Sequence, residues 1–268
     1  MPIKFDATGK RWVEMEFVVP GGPDAVWRAI ATGPGYAAWF IKADIEEKVG
    51  GTLTFHFGPG VTTNGVVTQW EPPHCFGYVE IGWGENAPPL ATEITVTARK
   101  GGTCLVRMVH SLFSSTDDWD DQMESFESGW PGFIEVLRLY LAHHAGAPAA
   151  SFQAMAAGEG EGLALWRRLM DRLGLSGADV GERRTVEAAE TLEGTVVHIR
   201  QADKQRYVMM HVEGDAPGVV LFGIWSASDT TRLSICRFFY GDNAGEIAAA
   251  AEPRWGEWLG AVAKGTKQ

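Results

Sequence analysis

Residues 129–144 read GWPGFIEVLRLYLAHH, and this stretch decides the fold. Its apolar side chains recur at intervals of three and four residues, which places them on one face of an α-helix. Pro131 suits the first helical turn, where its missing N–H costs no hydrogen bond, and Gly146 suits a left-handed turn after the last residue. The pattern predicts a long amphipathic helix with an apolar face of Trp130, Phe133, Ile134, Leu137, Tyr140 and Leu141.

The residues before this helix alternate between apolar and polar, as strands with one buried face do. One strand is predicted at 12–19, followed by a helix that begins near Pro23. Glycine and proline turns separate the later strands, and such short connections favour an antiparallel sheet. The sequence therefore predicts an α+β fold in which a curved antiparallel sheet wraps around the long helix. The six later strands are predicted at 41–47, 52–58, 61–70, 76–83, 92–99 and 104–113.

A chain of 268 residues favours two domains. The first is predicted at 1–146, and the alanine- and glycine-rich segment 147–162 is predicted to be a linker. The second, smaller α+β domain is predicted at 163–268. It is interpreted either as a degenerate copy of the first domain or as an unrelated accessory domain. Its predicted elements are a helix at 163–173, strands at 185–192, 195–201, 207–212, 219–225 and 233–240, and a final helix at 244–263.

Charge and composition exclude several classes of partner. The formal net charge of −11 disfavours nucleic acid and anionic membranes, because both require clustered Lys and Arg. Cys75, Cys104 and Cys236 are far apart and odd in number, which indicates buried thiols in a reducing compartment. No stretch is long and apolar enough to span a bilayer, and the N-terminus lacks a signal core. We therefore expect a cytoplasmic location and no membrane partner.

A helix that lies across a curved sheet leaves part of the enclosed space unfilled, and this space is the expected site of function. Its walls would be apolar and aromatic, which suits a small hydrophobic or aromatic ligand. The alternative is that the same side chains fill the core. The residues predicted to line the pocket are Trp39, Phe55, Phe57, Trp83, Trp130, Phe133, Ile134 and Leu137.

Four polar residues on the strands are candidates to face this pocket: His56, Glu80, Arg107 and His110. Because side chains alternate between the two faces of a sheet, each points away from its immediate neighbours. Those that face inward would supply an acid, a base or an anchor for the polar end of a ligand. No residue is assigned a catalytic role, and neither a metal site nor a cofactor is predicted.

The long helix carries a second, weaker apolar stripe away from its main apolar face. A helix that is apolar on two faces is usually covered on both. We therefore expect Val136 and Leu139 to pack against the second domain or against a partner in a homodimer.

Four segments of the first domain resemble a known family. They are VEMEFVVPGGPDAVWRAIATGPGYAAWF at 13–40, FGYVEIGW at 76–83, TCLVRMVHSLF at 103–113 and GW at 129–130. They are similar to the Aha-type branch of the SRPBCC superfamily, named for homology to an activator of a heat-shock chaperone's ATPase. The resemblance covers residues 1–146 and implies a helix-grip fold with a hydrophobic ligand cavity.

The resemblance does not imply a single activity, because one fold supports many functions. The favoured interpretation is that the first domain binds a small hydrophobic molecule without transforming it. One alternative is a cyclase- or hydrolase-like enzyme, which would need a buried polar group with a perturbed pKa in the cavity. The other is a protein-interaction role, such as that of a chaperone cofactor.

Overall fold

The structure, a computed structural model, describes residues 3–57, 60–84, 86–114, 118–158, 161–202, 205–227 and 230–265. The chain divides into two compact units, Met1–Gly146 and Ala147–Gln268. Each unit contains one antiparallel sheet and a long terminal helix, so the α+β prediction is confirmed.

The first unit is built on an eight-stranded sheet. Its strands β3 to β8 follow one another as a meander, and the early strand β2 returns to pair with β8. The elements are β1 (Lys4–Phe5), β2 (Lys10–Pro20), α1 (Pro23–Ala31), α2 (Gly33–Ala37), β3 (Ala43–Ile45), β4 (Thr52–His56), β5 (Thr62–Glu71), β6 (Cys75–Ile81), β7 (Leu90–Arg99), β8 (Thr103–Phe113) and α3 (Asp120–Leu139).

Helix α3 is longer than the sequence predicted. It begins at Asp120 rather than at Gly129, so Pro131 lies inside the helix and not in its first turn. The apolar period starts only at Trp130, and the polar residues before it give no signal for an earlier start. A π-helical turn, Tyr140–His144, ends the helix. Gly146 then adopts φ +83°, as the sequence predicted for a left-handed turn.

The second unit contains β9 (Ala149–Ala157), α4 (Gly162–Leu173), β10 (Arg183–Glu187), β11 (Thr191–Gln201), β12 (Gln205–Val212), β13 (Gly218–Ala227), β14 (Thr230–Tyr240) and α5 (Ala244–Ala263). The order in its six-stranded sheet is β10-β11-β12-β13-β14-β9. The single strand predicted at 185–192 is wrong, because a turn at 188–190 divides this segment between β10 and β11. The final helix occurs where it was predicted, with Pro253 inside it.

The prediction of a linker at 147–162 is also wrong. Residues 149–157 form β9, which pairs with β14 along its whole length. Its Phe152 and Ala154 are buried in the core of the second unit, but the many alanines of this segment hide the alternation of a strand. Residues 159 and 160 lie outside the described part of the chain.

Candidate functional site

Aromatic side chains occupy the interior between the first sheet and α3. The ring of Trp130 lies 5.8 Å from that of Trp39 and 4.7 Å from that of Phe40. The Phe133 ring is 4.9 Å from the Phe40 ring, and rings at such distances pack directly on one another. Phe55 lies 6.1 Å from Phe40. We call this group, which the sequence analysis anticipated except for Phe40, the aromatic cluster: Trp39, Phe40, Phe55, Phe57, Trp130 and Phe133.

The three other predicted pocket residues are placed differently. Ile134 and Leu137 are buried on α3. Trp83 packs in a separate cluster, with its ring 5.3 Å from that of Trp119, and its indole N–H donates to the carbonyl of Pro88 at 2.7 Å. The interior therefore brings together seven of the eight predicted residues, while Trp83 belongs to another part of the first unit.

The short helix α2 sets one wall of the aromatic cluster. The Thr32 hydroxyl caps it by accepting from the Gly35 N–H at 3.1 Å. Gly35 allows α2 to pack against α1, since a Cβ atom there would lie 1.9 Å from the carbonyl oxygen of Arg28. The Trp39 indole then donates to the Ala29 carbonyl at 2.9 Å. This close contact between the helices positions both Trp39 and Tyr36.

A row of polar side chains crosses the inner face of the sheet. Tyr78, Thr92 and His110 lie directly opposite one another on β6, β7 and β8. The Trp130 indole N–H donates to His110 Nε2 at 2.8 Å, so Nδ1 carries the proton of the neutral ring and donates to Thr92 Oγ1 at 2.9 Å. His110 is 3 % exposed, and burial lowers its pKa to about 4. The imidazole is therefore uncharged at neutral pH.

Two further polar groups, Glu80 and Tyr36, extend this row. Glu80, two residues from Tyr78 and on the same face of β6, is buried and accepts from the Thr63 hydroxyl at 2.8 Å. Burial raises the pKa of Glu80. Burial also raises the pKa of the Tyr36 and Tyr78 hydroxyls, and the charge of Glu80 acts in the same direction.

The hydroxyl of Tyr36 is the unsatisfied end of the row. It is fully buried and has a hydrogen-bonding contact with the Tyr78 hydroxyl that shifts the pKa of both groups. This contact is poorly aligned, and the hydroxyl has no partner of good hydrogen-bond geometry among the residues that the structure describes. A buried hydroxyl without a partner carries a free-energy cost that a ligand or a water can remove. We call Tyr36, Tyr78, Glu80, Thr92 and His110 the polar row.

His56 and Arg107, the other two polar candidates, are not in the polar row. His56 Nε2 lies 2.6 Å from Asp44 Oδ2 in an exposed contact. Arg107 donates to Glu14 Oε2 at 2.8 Å and lies 3.6 Å from Glu93. Alternation decides this outcome, because Arg107 and His110 are three residues apart on β8 and point to opposite faces.

Residues 22–142 match the family model described as Activator of Hsp90 ATPase homolog 1-like protein. The first unit resembles this family over most of its length. The resemblance predicted from the sequence is thereby confirmed, and we call Met1–Gly146 the Aha-type unit. No curated protein matches the chain.

Solved structures resemble the chain at low sequence identity. The di-domain ARO/CYC BexL from the BE-7585A biosynthetic pathway is 14% identical, with 95% of this chain and 98% of BexL covered and a TM-score of 0.46. DynU16, a putative protein in the dynemicin biosynthetic locus, is 16% identical over 94% of this chain and 95% of its own, with a TM-score of 0.44. MLL2253 from Mesorhizobium loti is 25% identical over 50% of this chain and 98% of its own, with a TM-score of 0.45. All three scores lie below 0.5, so these similarities identify neither a ligand nor a reaction.

A surface cleft of about 230 Å³ opens between β2 and α3 of the Aha-type unit. Its apolar wall includes Phe17, Pro131 and Ile134, so one predicted pocket residue reaches this opening. Arg138 lies at the rim, where its Nε donates to the Val18 carbonyl at 2.9 Å. On the opposite side of the aromatic cluster, Phe57 and Phe133 are only half-buried.

The described part of the chain offers neither a cluster of metal ligands nor a helix that could span a membrane. No group of three or more His, Cys, Asp or Glu side chains is placed to hold a metal ion there. None of its helices is both long and apolar enough to cross a membrane. Cys75, Cys104 and Cys236 are buried thiols, and burial raises the pKa of each.

Proposed function

We propose that the Aha-type unit binds a small, uncharged aromatic molecule between its sheet and α3, without changing it chemically. The observation that carries this proposal is the unsatisfied Tyr36 hydroxyl at the end of the polar row. It is supported by the position of the aromatic cluster, since Tyr36 stacks on Trp39 at 5.6 Å and meets Phe55 at 5.1 Å. A flat ring in this interior would contact aromatic faces while its oxygen accepts from Tyr36.

The chemistry of the polar row favours an uncharged ligand. The buried polar side chains described in the Aha-type unit include Tyr36, Tyr78, Glu80, Thr92, His110 and Ser111, and none of these is a cation at neutral pH. A ligand carboxylate would lose its hydration and find no positive charge there. It would also lie near Glu80, whose raised pKa already reflects the cost of a buried negative charge. A ketone, ether or phenol oxygen avoids both costs.

We propose that the ligand enters beside Phe57 and Phe133, the exposed side of the aromatic cluster. Both rings are in contact with Phe40, at 6.2 and 4.9 Å, and all three side chains are half-buried. Half-buried rings lose few contacts when they rotate, whereas Trp39 and Phe55 are fully enclosed. The predicted alternative, that these side chains merely fill the core, requires the three rings to remain in place.

A second candidate function is acid–base catalysis in the same interior. Burial raises the pKa of Glu80 and lowers that of His110, and two groups whose environments separate their pKa values in this way can act as acid and base. This function would require a substrate atom within hydrogen-bond reach of one of them. The interaction role, the cover over Val136 and Leu139, and a cytoplasmic location remain predictions.

The experiment is calorimetric titration with two probes of similar shape, 2-acetylnaphthalene and naphthalene-2-carboxylate. We expect the ketone to bind at least ten times more tightly than the carboxylate. The Tyr36→Phe variant should weaken ketone binding about 5- to 10-fold, the usual value of one hydrogen bond. Tyr240→Phe removes a hydroxyl from the second unit and should leave the affinity unchanged.

The same samples separate binding from catalysis. If the bound ketone is recovered with unchanged mass after long incubation, the binding proposal stands for this probe. Phe133→Trp fills the proposed entrance and should abolish binding. If neither probe binds and neither raises the melting temperature, the aromatic cluster is a filled core and the proposal is wrong.

A further inference from the structure

We infer that the two units are copies of one strand–helix–meander–helix unit and that only the first copy has kept a ligand site. The second part of this inference rests on the proposed function. That the two units are copies follows from their shared strand order, register and backbone hydrogen bonds.

The two units connect their strands in the same way. In each, a first strand leads into helical structure, a meander of strands follows, and a long helix ends the unit. In each, the strand that directly precedes the helical structure pairs with the last strand of the meander, β2 with β8 and β9 with β14. The segment first predicted as a linker is therefore the opening strand of the second copy.

The register is the same across five strands. The last strand has 11 residues in each unit, and its eighth residue, His110 or Arg237, lies opposite the fourth residue of the first strand, Val13 or Phe152. From that residue the pairing continues strand by strand across the sheet. The first row is Val13, His110, Thr92, Tyr78 and Val67, and the second is Phe152, Arg237, Val220, Met210 and Val196.

A shared irregularity marks the far end of both rows. The register shifts directly after Val67 in the first unit and directly after Val196 in the second. In both units the carbonyl of this valine accepts from a glycine with positive φ, Gly50 or Gly181, at 2.8 Å. The valine N–H then donates to the residue after that glycine at 2.9 Å, to Gly51 or Glu182. A bulge fixed by the same two hydrogen bonds is a feature that unrelated folds do not share by chance.

The terminal helices add a further parallel. Trp130 on α3 donates its indole N–H to His110 at 2.8 Å, and Trp255 on α5 donates to Glu190 at 2.8 Å. In both units, therefore, the indole N–H of a tryptophan on the last helix donates a hydrogen bond to a polar side chain outside that helix. Glu190 is also the carboxylate whose charge supports the pKa of Arg237, against the lowering that burial causes.

The side chains of the two rows differ where a ligand would be held. Met210 and Val220 replace Tyr78 and Thr92, so two of the hydrogen-bonding groups are absent from the second row. Arg237 replaces His110 and is completely buried. Its guanidinium donates to the carbonyls of Ala216 at 2.9 Å, Phe238 at 3.0 Å and Val219 at 3.4 Å, and lies 4.3 Å from the ring of Phe239.

Arg237 thus takes the place of His110 and ties the ends of β13 and β14 together. Only its Nε–H lacks a partner among the described atoms of this side chain. Its two terminal nitrogens donate to three carbonyls, and the neighbouring Met210 and Val220 offer no hydrogen bond to a ligand. We therefore expect the second interior to hold no ligand and the chain to take one.

The test is native mass spectrometry of the full chain with excess 2-acetylnaphthalene, and separately with naphthalene-2-carboxylate. We expect one ketone adduct per chain at saturation and no carboxylate adduct. Phe133→Trp should remove the adduct, with circular dichroism to show that the variant is folded; if it is not, Tyr36→Phe serves, and it should lower the occupancy at sub-saturating ketone. Arg237→Lys should retain the adduct.

Two ketone adducts, a carboxylate adduct lost in Arg237→Lys, or a ketone adduct that survives in Phe133→Trp would overturn the single-site inference. The absence of any adduct would count against the proposed function alone. The duplication is then decided by an experimental structure of the chain. Superposition of Tyr78, Thr92 and His110 on Met210, Val220 and Arg237 should also superpose α3 on α5. A mismatch of the two helices or of the two rows would contradict the duplication.

Discussion

The indole N–H of Trp130 donates to Nε2 of His110 at 2.8 Å, and the planes of the two rings lie within 9° of parallel. The acceptor is the lone pair on Nε2 of the neutral imidazole. This hydrogen bond joins α3 to the last strand of the sheet inside an apolar interior. It also fixes the imidazole tautomer. Nδ1 carries the proton and donates a hydrogen bond to Thr92 Oγ1.

Trp130→Phe should destabilise the protein, because it leaves the buried Nε2 of His110 without a donor. We expect the free energy of unfolding to fall by about 1–3 kcal/mol for the unsatisfied group, plus the lost packing. Urea unfolding monitored by circular dichroism measures the change. Trp225→Phe, at an exposed position, is the matched control and should change it by less than about 0.5 kcal/mol. Equal losses in the two variants would mean that the hydrogen bond is not important.

The pH dependence of stability should report on His110. Its pKa is about 4 in the folded protein, below the ordinary value of 6.5, so the unfolded chain binds the proton more tightly. The stability that this difference provides is complete above pH 6.5 and is lost as the pH falls to 4, a change on the order of 3 kcal/mol. Below pH 4 it contributes no further change.

His110→Gln, which does not titrate, should therefore show a shallower loss of stability between pH 6.5 and 4 than the native protein. Urea unfolding at half-unit intervals gives the two curves. Parallel curves for His110→Gln and the native protein would show that the imidazole is not held neutral.

The sequence predicted most of the fold because most strands of the first sheet have one buried face. Phe17 and Val19 alternate with the exposed residues Glu16 and Val18, and such alternation is visible without a structure. Alternation is not visible in β9, because the many alanines of this strand give no contrast between its two faces. The prediction also failed for the first turns of α3, where the helix continues through polar residues and past Pro131.

The candidate site was predicted in composition but not in arrangement. Alternation could not decide which of Glu80, Arg107 and His110 face inward until the register of β6 and β8 was known. Tyr36 was missed because it lies on a five-residue helix after a glycine–proline turn, a segment without usable periodicity. Phe40 was missed for the same reason.

Gly35→Ala should disturb the site without altering any of its side chains. A methyl group there would lie 1.9 Å from the carbonyl oxygen of Arg28 and 2.8 Å from that of Ala29, so α2 must move away from α1. Because α2 carries Tyr36, we expect a loss of several kcal/mol in stability, in the range of severe backbone clashes, and at least tenfold weaker binding of 2-acetylnaphthalene. Gly256→Ala, on the exposed face of α5 with open space around it, should instead stabilise the protein by up to about 1 kcal/mol. Similar effects of the two substitutions, measured by thermal unfolding, would show that α2 is not wedged against α1.

Glu80→Gln should stabilise the protein at high pH and have little effect at low pH. The pKa of Glu80 is raised above its ordinary value of 4.5, so ionisation is harder in the folded protein than in the unfolded chain. As the pH rises from 4.5 to the higher pKa of Glu80 in the folded protein, the native protein loses stability. The glutamine variant has no charge to bury, and its side-chain oxygen still accepts from the Thr63 hydroxyl. The difference in unfolding free energy between the variant and the native protein should therefore grow from pH 4 to pH 8 in urea titrations. Glu93→Gln, at an exposed carboxylate on β7, is the control and should show no such growth. A difference that shrinks with rising pH would mean that the Glu80 carboxylate is stabilised by a positive charge, and the argument for an uncharged ligand would fail with it.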